Sequence, residues 1–217
     1  MYLRGSTELA AAGFGSDNEF LRHKGVARFY YPLGSGFVAK LNMEGGHVTS
    51  PSQDGVPIFA RFFLGGILDV RGFRFRSLGP RVPLTQYTDP NSSPIPYGAN
   101  IGGNLMYFQN LELEFPIIDK VGIRGVLFTD AGNSWNLEEN YCDTAGKGVL
   151  AYQGTAFKET SPCFDGFSSL AALRTSYGFG IRWFSPLGPL RFEWGFPFAP
   201  LPYEESSVFE FTIGNFF

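Results

Sequence analysis

The residue with the most demanding chemistry is Arg71, in the stretch Val70-Arg71-Gly72-Phe73. A guanidinium is a rigid fork of five donors that stays charged. In an enclosed space it needs carboxylate or carbonyl partners, because an unpaired buried charge is costly. Glu112, Glu114 and Asp130 lie at even positions of two neighbouring alternating segments, so they share one polar face and could supply such partners. Gly72 permits close backbone approach, and Phe73 can anchor beside it. A plainer reading also fits the residues: ordinary interior charges, each paired locally.

The other chemistry-bearing side chains form no constellation. His23 and His47 are the only histidines, fall on separate segments at outward positions, and join no Ser/His/Asp set. No catalytic residue is assigned, and the chain is not expected to be an enzyme. Gly65-Gly66 and Gly102-Gly103 open no helix after a strand, so a phosphate cradle is not expected. Asp89 and Asn91 lack the alternating ligands of a calcium loop. No metal and no cofactor are expected. Cys142 and Cys163 share one polar, Gly-rich stretch without a nearby histidine, which suits a loop disulfide in an oxidising compartment, or two unrelated loop thiols.

The elements that must carry these residues are strands. The chain has 217 residues, 28 of them Gly, with 17% aromatic residues and a net charge of −3. That composition excludes disorder and speaks against a nucleic-acid partner, which would require clustered cations. No apolar run reaches the roughly 18 residues of a membrane-spanning helix. A mean hydropathy of −0.04 nonetheless suits a transmembrane barrel, whose strands alternate apolar and polar residues. Residues 1–6 carry no signal-peptide apolar region and already lie in a strand-like pattern, as expected of a piece of a longer chain.

Period-two alternation predicts eight strands near 2–14, 19–31, 36–49, 103–116, 121–135, 173–185, 188–197 and 208–217. In the sixth, Tyr177, Phe179, Ile181 and Trp183 oppose Arg174, Ser176, Gly178, Gly180 and Arg182. In the last, Phe209, Phe211, Ile213 and Phe217 oppose Glu210, Thr212 and Gly214. One face is large and aromatic; the other holds Gly, Ser and charges of both signs. This predicts an all-β transmembrane antiparallel barrel with a lipid-facing aromatic exterior and a polar lumen, rather than a soluble sandwich. Short Pro/Gly turns alternate with longer polar connections, placing the turns on the periplasmic side and the connections outside. One external connection, residues 50–99, exceeds ordinary loop length and is expected to be functional.

Several stretches together resemble the BamA family of outer-membrane insertases. They are Arg61-Phe62-Phe63-Leu64-Gly65-Gly66 with Val70-Arg71-Gly72-Phe73, then Glu112-Leu113-Glu114-Phe115-Pro116, Phe128-Thr129-Asp130-Ala131-Gly132-Asn133, Trp183 to Leu190, and Phe211-Thr212-Ile213-Gly214 with Phe217. The resemblance implies that this chain corresponds to the last eight strands of a sixteen-stranded barrel. It implies that Arg71 docks on Glu112 and Asp130 with the long loop folded into the lumen. It further implies that Phe209 to Phe217, including Phe211, Ile213 and Gly214, form the strand at a lateral seam. The implied activity is folding and insertion of nascent outer-membrane proteins into the bacterial outer membrane without covalent chemistry. The alternatives are a polypeptide-secretion translocator of the same superfamily, or a small structural or pore-forming barrel. Partners would be the lipid bilayer, nascent outer-membrane proteins, and either a second copy or the missing half-barrel. A lone eight-stranded barrel would have little lumen for the loop.

Overall fold

The computed structural model describes residues 1–11, 13, 15, 18–82, 99–138, 150–152, 157–159, 173–186, 188–201 and 204–214. Twelve strands are present among them: β1 (Tyr2–Ala10), β2 (Phe20–Gly34), β3 (Phe37–Thr49), β4 (Arg81–Val82), β5 (Ala99–Asn100), β6 (Leu105–Ile118), β7 (Ile123–Trp135), β8 (Leu150–Tyr152), β9 (Phe157–Glu159), β10 (Arg174–Ser185), β11 (Gly188–Pro197) and β12 (Val208–Ile213). Eight of them form one antiparallel sheet in the order β1-β2-β3-β6-β7-β10-β11-β12. These are the eight strands the alternation predicts. No described helix is long and apolar enough to cross a membrane.

The differences from the sequence reading have local causes. β6 runs past Pro116, with a register shift between Pro116 and Ile118, because proline lacks the N–H a regular ladder needs. Among the described residues β1 runs to Ala10 and β12 to Ile213; the expected ends at 14 and 217 lie outside the described residues. Four strands that the alternation does not show, β4, β5, β8 and β9, pair in the order β5-β4-β8-β9. Each is two or three residues long, too short for a period of two to register. Among the described residues the sheet does not close on itself: β1 pairs only with β2, and β12 only with β11. The option of a self-closed eight-stranded barrel is therefore not the arrangement formed.

The two faces differ as the residue types require. Along β10 buried and exposed residues alternate strictly from Arg174 to Trp183. On the outer face, rings pack across strands: Phe179 stacks on Trp194 at 5.5 Å, while Trp194 and Phe209 at 4.8 Å and Phe192 and Phe211 at 4.9 Å between centroids are tilted. Such cross-strand aromatic pairs stabilise a sheet beyond their area alone. At the opposite end of the strands, the tight link Gly34-Ser35-Gly36 holds all three residues at positive φ, which two glycines make tolerable.

The long connection between β3 and β6 returns onto the inner face. Phe62 exchanges two 2.8 Å backbone bonds with Gly103, and Leu64 bridges Leu78. Phe62, Leu64, Val70, Phe73 and Leu78 from the connection pack with Phe20, Val48, Met106 and Phe108 from β2, β3 and β6 into one buried apolar cluster. Inward glycines open the space beyond it. A Cβ at Gly132 would collide with Val70 and Phe108, and one at Gly195 would collide with the Gly72 backbone.

Candidate functional site

Arg71 emerges from that connection onto the inner face of β6, β7 and β11. Register puts its acceptors within reach: Asp130 stands opposite Asn110 and Ser176, Glu112 opposite Lys40 and Phe128, and Glu193 opposite Gly180. Asp130 takes three bonds from Arg71. Nε donates to Oδ2 at 2.7 Å, Nη2 to Oδ1 at 2.8 Å, and the backbone N–H to Oδ2 at 3.0 Å. The first two form a bidentate fork, the strong geometry for this pair. Nη1 donates to Glu112 at 2.6 Å and to Glu193 at 3.0 Å. The guanidinium also lies 3.6 Å from the centre of the Phe128 ring.

Arg71 is 2% exposed and Asp130 likewise. Burial alone would push the guanidinium's pKa down; Asp130, Glu112 and Glu193 outweigh it and hold the group well above the usual arginine range. The Arg71 carbonyl accepts from Ser176 Oγ at 2.5 Å, so backbone and side chain are both fixed. Gly72, at φ 84°, lies against the backbone of Gly195, where no side chain could fit. Phe73 is buried, with the Arg174 guanidinium 4.8 Å from its ring centre, and Arg174 is bidentate to Glu204.

The charges extend down the wall. Arg182 bonds Glu112 at 2.7 and 2.9 Å and Glu193 at 2.8 and 3.0 Å. Arg191 donates to both oxygens of Glu193 at 2.9 Å. Glu114 accepts from Lys40 at 2.5 Å and also pairs with Arg124. Three arginines, Arg71, Arg182 and Arg191, thus face three carboxylates, Asp130, Glu112 and Glu193. Breaking such a set by removing one member is costly, because the remaining charge stays buried. Nothing in this set is a nucleophile beside a base. Its chemistry is positioning: it holds one loop on one wall in one register.

The structure therefore brings Val70, Arg71, Gly72, Phe73, Glu112 and Asp130 together. Phe209, Phe211 and Ile213 lie on the outer face of β12, each about half exposed, and Gly214 follows at φ 109°. Phe217, Cys142 and Cys163 lie outside the described residues. His23 and His47 face each other across β2 and β3 on the outer face, with Thr7 Oγ1 2.9 Å from His23 Nδ1. Among the described residues no group of three or more His, Cys, Asp or Glu is placed to hold a metal ion. Sequence reasoning names Glu112, Glu114 and Asp130 and does not identify Glu193 as a third partner of Arg71. It also missed Arg61, whose Nη1 meets Glu138 at 3.0 Å and whose Nε meets the carbonyls of Ile101 and Gly102 at 3.0 and 2.9 Å. No spacing signal ties residue 61 to 138.

Comparison with known proteins places this arrangement. The model of the Omp85 superfamily domain matches residues 1–217. The outer membrane protein assembly factor BamA of Nitratidesulfovibrio vulgaris is 30% identical over 214 residues, which are 97% of this chain and 22% of that protein. BamA of Neisseria meningitidis serogroup B is 31% identical over 199 residues, 87% of this chain and 23% of that protein. The crystal structure of BamA from Haemophilus ducreyi lacking POTRA domains 1–3 superposes with a TM-score of 0.67 at 27% identity, covering 91% of this chain and 35% of that one. The chain thus spans under a quarter of the length of these curated relatives.

Proposed function

This chain belongs to the Omp85 superfamily of integral outer-membrane proteins, and from that premise we propose that it is the C-terminal part of a BamA-type barrel that folds and inserts nascent outer-membrane proteins. The observation that carries this reading is the docking of the Arg71 loop on Asp130, Glu112 and Glu193, on the polar face of an eight-stranded sheet whose other face is aromatic, and in this reading β12 lies at the barrel's lateral seam. An unpaired strand edge is a template for an incoming strand, held by main-chain hydrogen bonds. No covalent step is required of any residue.

In this reading residues 50–99 are an external connection whose described part, residues 50–82, is folded into the lumen, and Arg71 is its anchor on Asp130, Glu112 and Glu193. Phe209, Phe211 and Ile213 turn the seam strand's outer face to lipid. Both sheet edges would leave backbone groups unsatisfied in a bilayer, at several kcal/mol each. The working form therefore includes a wall that completes the barrel, for which the remaining length of the relatives leaves ample chain. The partners are the bilayer and nascent barrel proteins.

The test is a chimera. This chain replaces the corresponding segment of the Neisseria meningitidis relative, the native copy is depleted, and porin assembly is followed by heat-modifiable gel mobility. Assembly at a rate near that of the parent is expected. A chimera that folds, reaches the outer membrane and assembles no porin would overturn the proposal.

A further inference from the structure

β12 is six residues long and has a single strand neighbour. Its inner face carries Val208, Glu210 and Thr212. Glu210 stands directly opposite Glu193 in the register. Like charges directly opposite one another destabilise a strand pair. Glu193 is engaged by Arg71, Arg182 and Arg191, whereas Glu210 has no cation within ion-pair distance among the described residues. Its bond goes elsewhere: Glu210 Oε1 accepts from the backbone N–H of Ile67 at 2.9 Å.

Ile67 lies in a tightly determined turn. Gly66 N–H donates to the Val70 carbonyl and Asp69 N–H to the Gly66 carbonyl, both at 3.2 Å. Asp69 Oδ1 accepts from the N–H groups of Gly65 and Val70, both at 2.6 Å. Gly66 takes φ 114°, a conformation that favours glycine and sets the turn. The turn leads directly into Val70 and Arg71. A continuous chain of contacts therefore runs from Asp130 on β7 through Arg71 and the turn to Glu210 on β12. A second tie, Arg74 to Glu205, holds the connection just before β12 to the same loop.

We propose that Glu210 is a positioning residue, through which the docked loop sets the seam strand against β11. The inference rests on the assembly reading above for its purpose, but not for its physics. Docking of Arg71 fixes the turn, the turn fixes the Ile67 N–H, and that donor holds the carboxylate that the opposite Glu193 would otherwise repel. Release of the loop would free β12 along its inner face while its outer aromatic contacts remain.

The test uses the complete chimeric barrel in detergent micelles, with heat-modifiable mobility confirming the fold of each variant. Hydrogen exchange is read at the peptide covering residues 208–213. Glu210→Leu removes the acceptor and is expected to speed exchange there roughly tenfold, as loss of one charge-assisted bond implies. Glu210→Gln keeps an acceptor oxygen, removes the repulsion with Glu193, and is expected to exchange no faster than the parent. Arg71→Ala is expected to speed exchange at 208–213 in the parent and to add little in Glu210→Leu. Unchanged exchange in Glu210→Leu, a Gln variant as fast as Leu, or additive effects of the Arg71 and Glu210 changes would each overturn the coupling. Porin assembly is measured in parallel: a defect in Glu210→Leu rescued in Glu210→Gln is expected. Faster exchange with normal assembly would overturn the positioning role while leaving the proposed function, which the unmodified chimera tests, untouched.

Discussion

The inserted loop is held against the sheet at two places by opposite physics. Near the rim with the long connections, Phe62, Leu64 and Leu78 pack on Phe20, Val48 and Met106 of β2, β3 and β6. Further along, Arg71 binds Asp130, Glu112 and Glu193 of β7, β6 and β11. The apolar contact is non-directional and roughly proportional to area, so several packings of similar volume satisfy it. The charged contact is directional and register-specific: a one-residue slip of β7 would turn Asp130 to the opposite face. The apolar cluster keeps the loop inside, and the arginine decides where inside.

The largest effect that comparison predicts is at Asp130. Asp130→Ala leaves Arg71 without its bidentate partner in a buried site, and is expected to cost about 3–5 kcal/mol of loop docking. Limited proteolysis within residues 61–78 reads it. The double change Arg71→Met with Asp130→Leu is expected to recover much of the loss, since an apolar pair of similar volume leaves no stranded charge. Failure of that recovery would show that the register depends on Glu112 and Glu193 as much as on Asp130.

At the rim, Leu64→Ala is expected to cost about 2–4 kcal/mol through lost burial and the cavity left behind. Leu64 is 2% exposed, so little relaxation can fill the void. Thermal unfolding in detergent reads the loss, and the Arg71 register is expected to persist in the variant. If Leu64→Ala displaced Arg71 from Asp130 as completely as Asp130→Ala does, the division of labour between the two anchors would fail.

The two anchors also differ in how far the residues foretold them. The eight long strands are visible because alternation over six to fifteen residues is a strong signal. Much of the inward set around Arg71 follows from parity, which puts Glu112, Glu114 and Asp130 on one face. The pairing of Arg71 with Glu112 and Asp130 required a resemblance, because parity names a face and not a partner. The apolar cluster was not visible. Phe62, Leu64 and Leu78 sit in a connection without periodicity, and nothing local tells a buried loop leucine from an exposed one such as Leu68. The short strands β4, β5, β8 and β9, the Arg61 contacts and the Glu210 bond to Ile67 arise only when distant segments meet.

Between the two anchors in the chain lies Asp69, where pH sharpens the comparison. Burial pushes its carboxyl from the ordinary 3.8 up to about 6, against the two backbone N–H bonds from Val70 and Gly65 that pull it down; Asp130 and Glu44 add to the rise. A released loop would titrate near 3.8. Above about pH 6 the carboxylate is ionised in both states, and its buried charge weakens docking. As pH falls from about 6 to 4, the docked form binds a proton that the released form does not, so docking strengthens, by about 2 kcal/mol at most. Below about 4 this group adds nothing further. Both backbone bonds go to one oxygen, Oδ1, so Asp69→Asn can keep them with its carbonyl and remove the charge. The variant is expected to resist proteolysis of residues 61–78 better than the parent at pH 7.5, by a margin that shrinks as pH falls from about 6 and closes only below about pH 4. Only the parent-minus-variant difference is diagnostic, because every other carboxylate is the same in both proteins. A difference that is flat across this window, or that grows as pH falls, would remove Asp69 as the adjustable element between an apolar anchor indifferent to pH and a charged one saturated by arginine.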